Sequence, residues 1–73
     1  MKQQLTEDQL YFVATNLHIF GNGYSASMQE RQQVYELYNH IEQTQKKPNS
    51  CGRCWRKTKE TVYRQYLKQT NIY

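Results

Sequence analysis

The residues whose types and spacing bear most directly on chemistry are Cys51-Gly52-Arg53-Cys54. Two thiols in a Cys-x-x-Cys pattern can share a tetrahedral zinc ion, which then needs two further ligands. The soft candidates elsewhere are His18 and His40, so a site built from Cys51, Cys54, His18 and His40 would staple three elements together. Zinc fingers, however, pair such a motif with histidines three to five residues apart, and these two are twenty-two apart. Redox chemistry is a second option, because a helix N-terminus and the neighbouring Arg53 and Arg56 would lower a thiol pKa. The βαβ units of a thioredoxin framework are missing from the pattern. A structural disulfide is a third option, disfavoured in a reducing compartment. The fourth is the expectation adopted: two small, half-buried thiols packed beneath Trp55, with Cys51 on the apolar side of a helix. No metal and no cofactor is expected.

Three helical patterns must position that motif. Thr6 is a suitable N-cap, and Glu7 and Asp8 favour the positive end of a helix dipole. Leu10, Val13, Leu17 and Phe20 then form one stripe of a 3.6-residue period, and Gly21-Asn22-Gly23 supplies a stop. The spacing predicts a helix over 7–20. Ser27 and Glu30 make a capping box ahead of Val34, Leu37, Tyr38 and Ile41, which predicts a second helix over 28–43. The polar stretch from Glu42 to Ser50 holds the single proline, Pro48, and is expected to be a loop. Asn49 or Ser50 can cap a third helix over 51–69, with Cys51, Trp55, Thr58, Val62 and Tyr66 on one side. Arg53, Lys57, Arg64 and Lys68 fall on the other side. No stretch alternates with period two for long enough to be a strand. The fold class is therefore all-α, a small three-helix bundle or loosely packed helical array forming one domain, 1–73.

Charge is distributed unevenly along the 73 residues. The chain carries a net +4, but Met1 to Gln45 sums to −3 and Lys46 to Tyr73 to +7. Such asymmetry is the footprint of contact with phosphates or with an acidic protein surface. Mean hydropathy is strongly polar at −1.06, yet 14% of residues are aromatic, seven of them Tyr. Disordered tails are poor in aromatics, so these values indicate a folded domain with a thin core. No apolar run approaches a membrane span, and no apolar segment follows Lys2, so neither a membrane anchor nor a secretion signal is expected. The cysteines are accordingly expected in a reducing cytoplasm.

Leu37-Tyr38-Asn39, the polar linker, and Lys46-Lys47-Pro48-Asn49-Ser50-Cys51-Gly52-Arg53-Cys54-Trp55-Arg56 together resemble a class of short bacteriophage proteins. In these, a helix ending in Tyr-Asn leads through a Lys-rich loop into Ser-Cys-Gly-x-Cys and a final helix. The resemblance covers about twenty residues, from Leu37 to Arg56. Where relatives carry Thr-Gly in the linker, this chain has Glu42-Gln43-Thr44. The resemblance implies a phage gene expressed in a bacterial host, acting in its cytoplasm or in a virion, and transfers no catalytic residue.

No nucleophile–base arrangement, phosphate-cradling glycine loop or carboxylate cluster is present, so the expectation is a binding protein and not an enzyme. The leading expectation is a host or phage protein as partner, met by Arg53, Lys57, Arg64 and Lys68 with Tyr63 at the rim. Tyr11 and Tyr35, also off the core stripes or at their edges, are expected at the surface, where Tyr favours protein contacts. The alternative is a nucleic acid held by the basic third helix.

Overall fold

The computed structural model describes residues 3–21, 23–49 and 51–70. Among these the chain is all-α, with helices α1 (Glu7–Thr15), α2 (Met28–Glu42) and α3 (Gly52–Thr70) and a short 3-10 helix at Leu17–Phe20 between the first two. None is long and apolar enough to cross a membrane. Asn22 and Ser50, expected as part of a stop and as a cap, lie outside the described residues.

The starts of α1 and α2 follow from local side-chain chemistry. The Thr6 hydroxyl accepts from the Gln9 amide at 3.2 Å while the Gln9 side chain accepts from the Thr6 amide at 2.8 Å. Ser27 and Glu30 repeat that reciprocal arrangement at 3.2 and 2.8 Å. In each case two amides that the first turn leaves without partners are satisfied. The Glu30 carboxyl is held below its usual range, first by the Ser27 amide and then by hydrogen bonds from the Tyr24 and Ser27 hydroxyls.

α1 ends five residues earlier than the apolar stripe predicts. Thr15 and Asn16 turn their side chains back on the helix, donating to the carbonyls of Tyr11 and Phe12 at 2.8–3.3 Å. Residues of this kind compete with the helical ladder, and Asn16 leaves it at φ −130°. The 3-10 turn that follows has about three residues per turn, so the phase of the stripe shifts. Leu17, expected in the core, is 46% exposed, and Ile19 is buried in its place. The chain leaves this region through Gly23, whose φ of 85° suits glycine.

α2 and α3 form the principal pair. α2 buries Val34, Tyr35, Leu37, Tyr38 and Ile41, and α3 buries Trp55, Thr58, Val62 and Tyr66. Thr58 is acceptable there because its hydroxyl donates to the Cys54 carbonyl at 2.7 Å. The arc on α2 is wider than one stripe because α3 reaches its edge through Trp55. Tyr35, expected to be exposed, is 4% exposed and stacks on Trp55 at 6.2 Å between ring centroids and 15° between planes. Phe20, Tyr63 and Tyr66 form a second stacked run at 6.0 and 6.1 Å.

The extended segment before α1 closes the other end of the bundle. Gln3 donates its amide to the Ile41 carbonyl at 2.8 Å. Leu5 is buried, and Gln69 of α3 grips its backbone from both sides, accepting from its amide at 2.6 Å and donating to its carbonyl at 2.9 Å. Gln69→Ala should leave both groups without partners in a half-buried position. The expected cost is about 1–3 kcal/mol, measured as a lower urea midpoint with an unchanged slope. Gln65→Ala, which removes only a donor to the Gln69 side chain, should cost under about 1 kcal/mol.

Candidate functional site

The loop between α2 and α3 is organised by two asparagines. Asn39 accepts from the Thr44 hydroxyl at 2.9 Å and the Lys46 amide at 3.1 Å, and donates to the Lys46 carbonyl at 2.8 Å. Gln43 begins the loop in the left-handed region at φ 57°. Asn49 accepts from the Cys51 amide at 2.9 Å. Asn39 and Asn49 thus supply the backbone partners that the loop lacks.

α3 starts at Gly52, which makes Cys51 its cap and not a member of its apolar arc. The Cys51 thiol accepts from the Cys54 amide at 3.2 Å, as a serine oxygen does at this position. Both cysteines are exposed free thiols, which overturns the expectation that they pack beneath Trp55. That place is filled by Tyr35. The four residues considered for zinc are not brought together, and the described residues contain no group of three or more His, Cys, Asp or Glu able to hold a metal ion. His40 donates from Nε2 to the Gln4 carbonyl at 2.8 Å, the protonated tautomer being required because a carbonyl only accepts. His18 packs edge-on against Tyr24, 4.9 Å between centroids.

The cations cluster around the N-terminal half of α3, and the helix-long stripe is only part of their arrangement. An open groove of about 730 Å³ is lined by Tyr24, Arg31, Trp55, Arg56 and Lys59 with the adjacent glycines and Ser25. Arg31 and Lys59 lie over the Trp55 ring at 5.4 and 5.5 Å from its centroid, within the range of a cation–π attraction. Lys59 also donates to the Gly21 carbonyl at 3.2 Å. Its pKa is lowered, chiefly by partial burial and then by the charges of Arg56 and Arg31. The buried Nε of Arg31 has no hydrogen-bond partner. A second groove of about 410 Å³ lies beside Tyr35, Tyr38 and Cys54 and carries Lys46, Lys47 and Lys57. Lys46 sits over the Tyr38 ring at 5.7 Å. No carboxylate is among the described residues lining either groove.

The predicted interface residues divide between two regions. Arg53 and Lys57 are exposed on the first two turns of α3, Lys57 at the second groove. Arg64 and Lys68 are exposed nearer its C-terminus, and Arg64 forms an ion pair with Glu60 one turn back. Tyr63 is half-buried between Phe20 and Tyr66, so most of its ring area is already taken up within the fold. Arg31, Arg56 and Lys59 were not among the residues expected at the interface. The one signal for Lys59 is its place one turn after Trp55, where a lysine stem covers the ring while its head reaches water. Nothing in the sequence pattern brings Arg31 to the same groove.

No family model, curated protein or solved structure matches this chain.

Proposed function

We propose that this protein acts by binding a nucleic acid through its phosphate backbone, with the N-terminal half of α3 as a cationic ridge between two cationic grooves. The observation that carries this is the pair of grooves flanking the N-terminal half of α3, one lined by Arg31, Arg56 and Lys59 and the other by Lys46, Lys47 and Lys57, with Arg53 exposed on the same turns and no carboxylate lining either groove. Like charges this close repel one another, and the charges of Arg56 and Arg31 add to the partial burial that chiefly lowers the Lys59 pKa. A polyanion relieves that repulsion, and the counterions it releases drive association. The α3 N-terminus adds its dipole to the same end. Trp55 is 7% exposed and already covered by Tyr35, Arg31 and Lys59, so it offers no platform for base stacking. Binding is therefore expected to depend little on sequence.

The test is fluorescence anisotropy with labelled duplex and single-stranded DNA at two salt concentrations. If four of these cations each take one phosphate, log affinity against log salt should fall with a slope of about −4 on duplex. Binding that is absent at low salt, or indifferent to salt, would overturn the proposal. On this reading, together with the phage-like segment from Leu37 to Arg56, the protein works in the cytoplasm of a bacterial host or in a virion. A second reading, a host or phage protein as partner, is favoured by the apolar side chains left at the surface. Tyr11 is 71% exposed, Met28 59% and Leu17 46%.

A further inference from the structure

The exposed thiol pair borders the second cationic groove and offers a chemistry that phosphate binding does not use. Cys51 caps α3 and Cys54 follows one turn later, so the two side chains are neighbours on the helix surface. Both are free and exposed. The Cys51 sulfur already accepts from the Cys54 amide at 3.2 Å, a contact that stabilises a thiolate more than a thiol. Cys54 also opens onto the groove lined by Lys46, Lys47 and Lys57, and Cys51 is itself exposed at the start of α3, so a substrate can reach either sulfur. We propose that Cys51 and Cys54 form a thiol–disulfide exchange site that acts on small or protein-borne disulfides, with Cys51 attacking and Cys54 resolving.

The chemistry balances without a further co-reactant. The Cys51 thiolate attacks one sulfur of a substrate disulfide, R–S–S–R. A Cys51–S–S–R bond forms, the substrate S–S bond breaks, and RS⁻ leaves and takes up a proton. Cys54 then loses its proton and attacks the Cys51 sulfur. A Cys51–Cys54 disulfide forms and the second R–S⁻ leaves, to be protonated in turn. The pair is oxidised by two electrons, and one disulfide is reduced to two thiols.

Proton placement in the reduced protein agrees with these roles. The Cys51 pKa is lowered, first by the hydrogen bond from the Cys54 thiol and then by the Cys54 and Arg53 amides. The Cys54 pKa is raised, first by that same hydrogen bond, then by its desolvation and the charge of Cys51. Once Cys51 is held in a mixed disulfide, its charge is gone and its hold on the Cys54 proton weakens. Cys54 is then released to attack, helped by the charge of Lys46.

The experiment equilibrates the reduced 73-residue chain with reduced and oxidised glutathione over about a thousandfold range of their ratio. Samples are quenched in acid and weighed by mass spectrometry. The expected product is a chain lacking two hydrogen atoms and carrying no glutathione. Cys54→Ser should instead accumulate one stable glutathione adduct on Cys51. At neutral pH, Cys51 in that variant should be alkylated at least about tenfold faster than Cys54 in Cys51→Ser, with a midpoint below the usual thiol pKa of about 8.5. Circular dichroism checks that both variants remain helical, as expected for exposed sites where Ser is itself a good cap. Glutathione adducts on both cysteines of the native chain with no internal disulfide, or equal alkylation rates in the two variants, would overturn the proposal.

Discussion

Trp55→Ala should leave the protein largely unfolded at 25 °C, seen as loss of far-ultraviolet helical signal without denaturant. Trp55 sits where α2 and α3 meet. Its ring stacks on Tyr35 of α2 and is covered by the charged heads of Arg31 and Lys59, and it is one of four buried residues on α3. Truncating a buried tryptophan costs about 3–5 kcal/mol through lost contact area and the cavity left behind. A domain this small has a stability near the lower end of about 5–15 kcal/mol, so the loss approaches the total. It also strips two cations of the ring that offsets their crowding. Trp55→Phe, which keeps an aromatic face, should fold with a lower urea midpoint. A Trp55→Ala variant with native helicity and a native midpoint would show that the α2–α3 contact holds without this residue.

The second large effect concerns binding. Reversing Arg53 and Lys57 together to Glu should weaken DNA binding at low salt by at least about a hundredfold, because two contacts are lost and two repulsions added. The salt slope should flatten by about two, one for each phosphate contact removed. Helicity should be preserved, since negative charge in the first turns of α3 agrees with the helix dipole. Reversing Arg64 and Lys68 instead should change affinity little, because Arg64 is already paired with Glu60 and both lie toward the far end of α3. Equal losses from the two pairs would indicate a diffuse field along the whole helix and not a localised ridge.

How much of this was legible in the sequence depends on the range of the interaction concerned. α2 matches its expected bounds within a residue, because Ser27, Glu30 and the apolar repeat act within a turn or two and all favour the same outcome. α3 and its buried Trp55, Thr58, Val62 and Tyr66 follow from the same periodicity. α1 departs from expectation where the two local signals disagree. The stripe continues past Thr15, but Thr15 and Asn16 bond to carbonyls of the preceding turn, and the backbone leaves the ladder there. Hydrophobic spacing alone does not weigh those polar contacts.

The thiol pair illustrates a finer limit. Its position at a helix start was visible, whereas its exposure turned on a single residue of register. With the helix beginning at Gly52, Cys51 becomes a cap and turns toward the Cys54 amide, and Tyr35 takes the place on Trp55 that the thiols would have filled.

By itself, the sequence determined the helical class, the Thr6 cap and the Ser27–Glu30 capping box, the apolar faces of α2 and α3 and the basic bias of the last third of the chain. Each of these depends on neighbours within about one or two helical turns. Only the tertiary structure decided that Arg31 of α2 joins Arg56 and Lys59 of α3 around one groove. It alone decided that Tyr35 is buried and that Gln69 grips Leu5 sixty-four residues away. The physical reason is that these contacts depend on how α2 and α3 are rotated and docked against each other and on where the N-terminal segment returns. Those choices are set by the sum of many weak packing terms across the core, and no local pattern in the sequence records them.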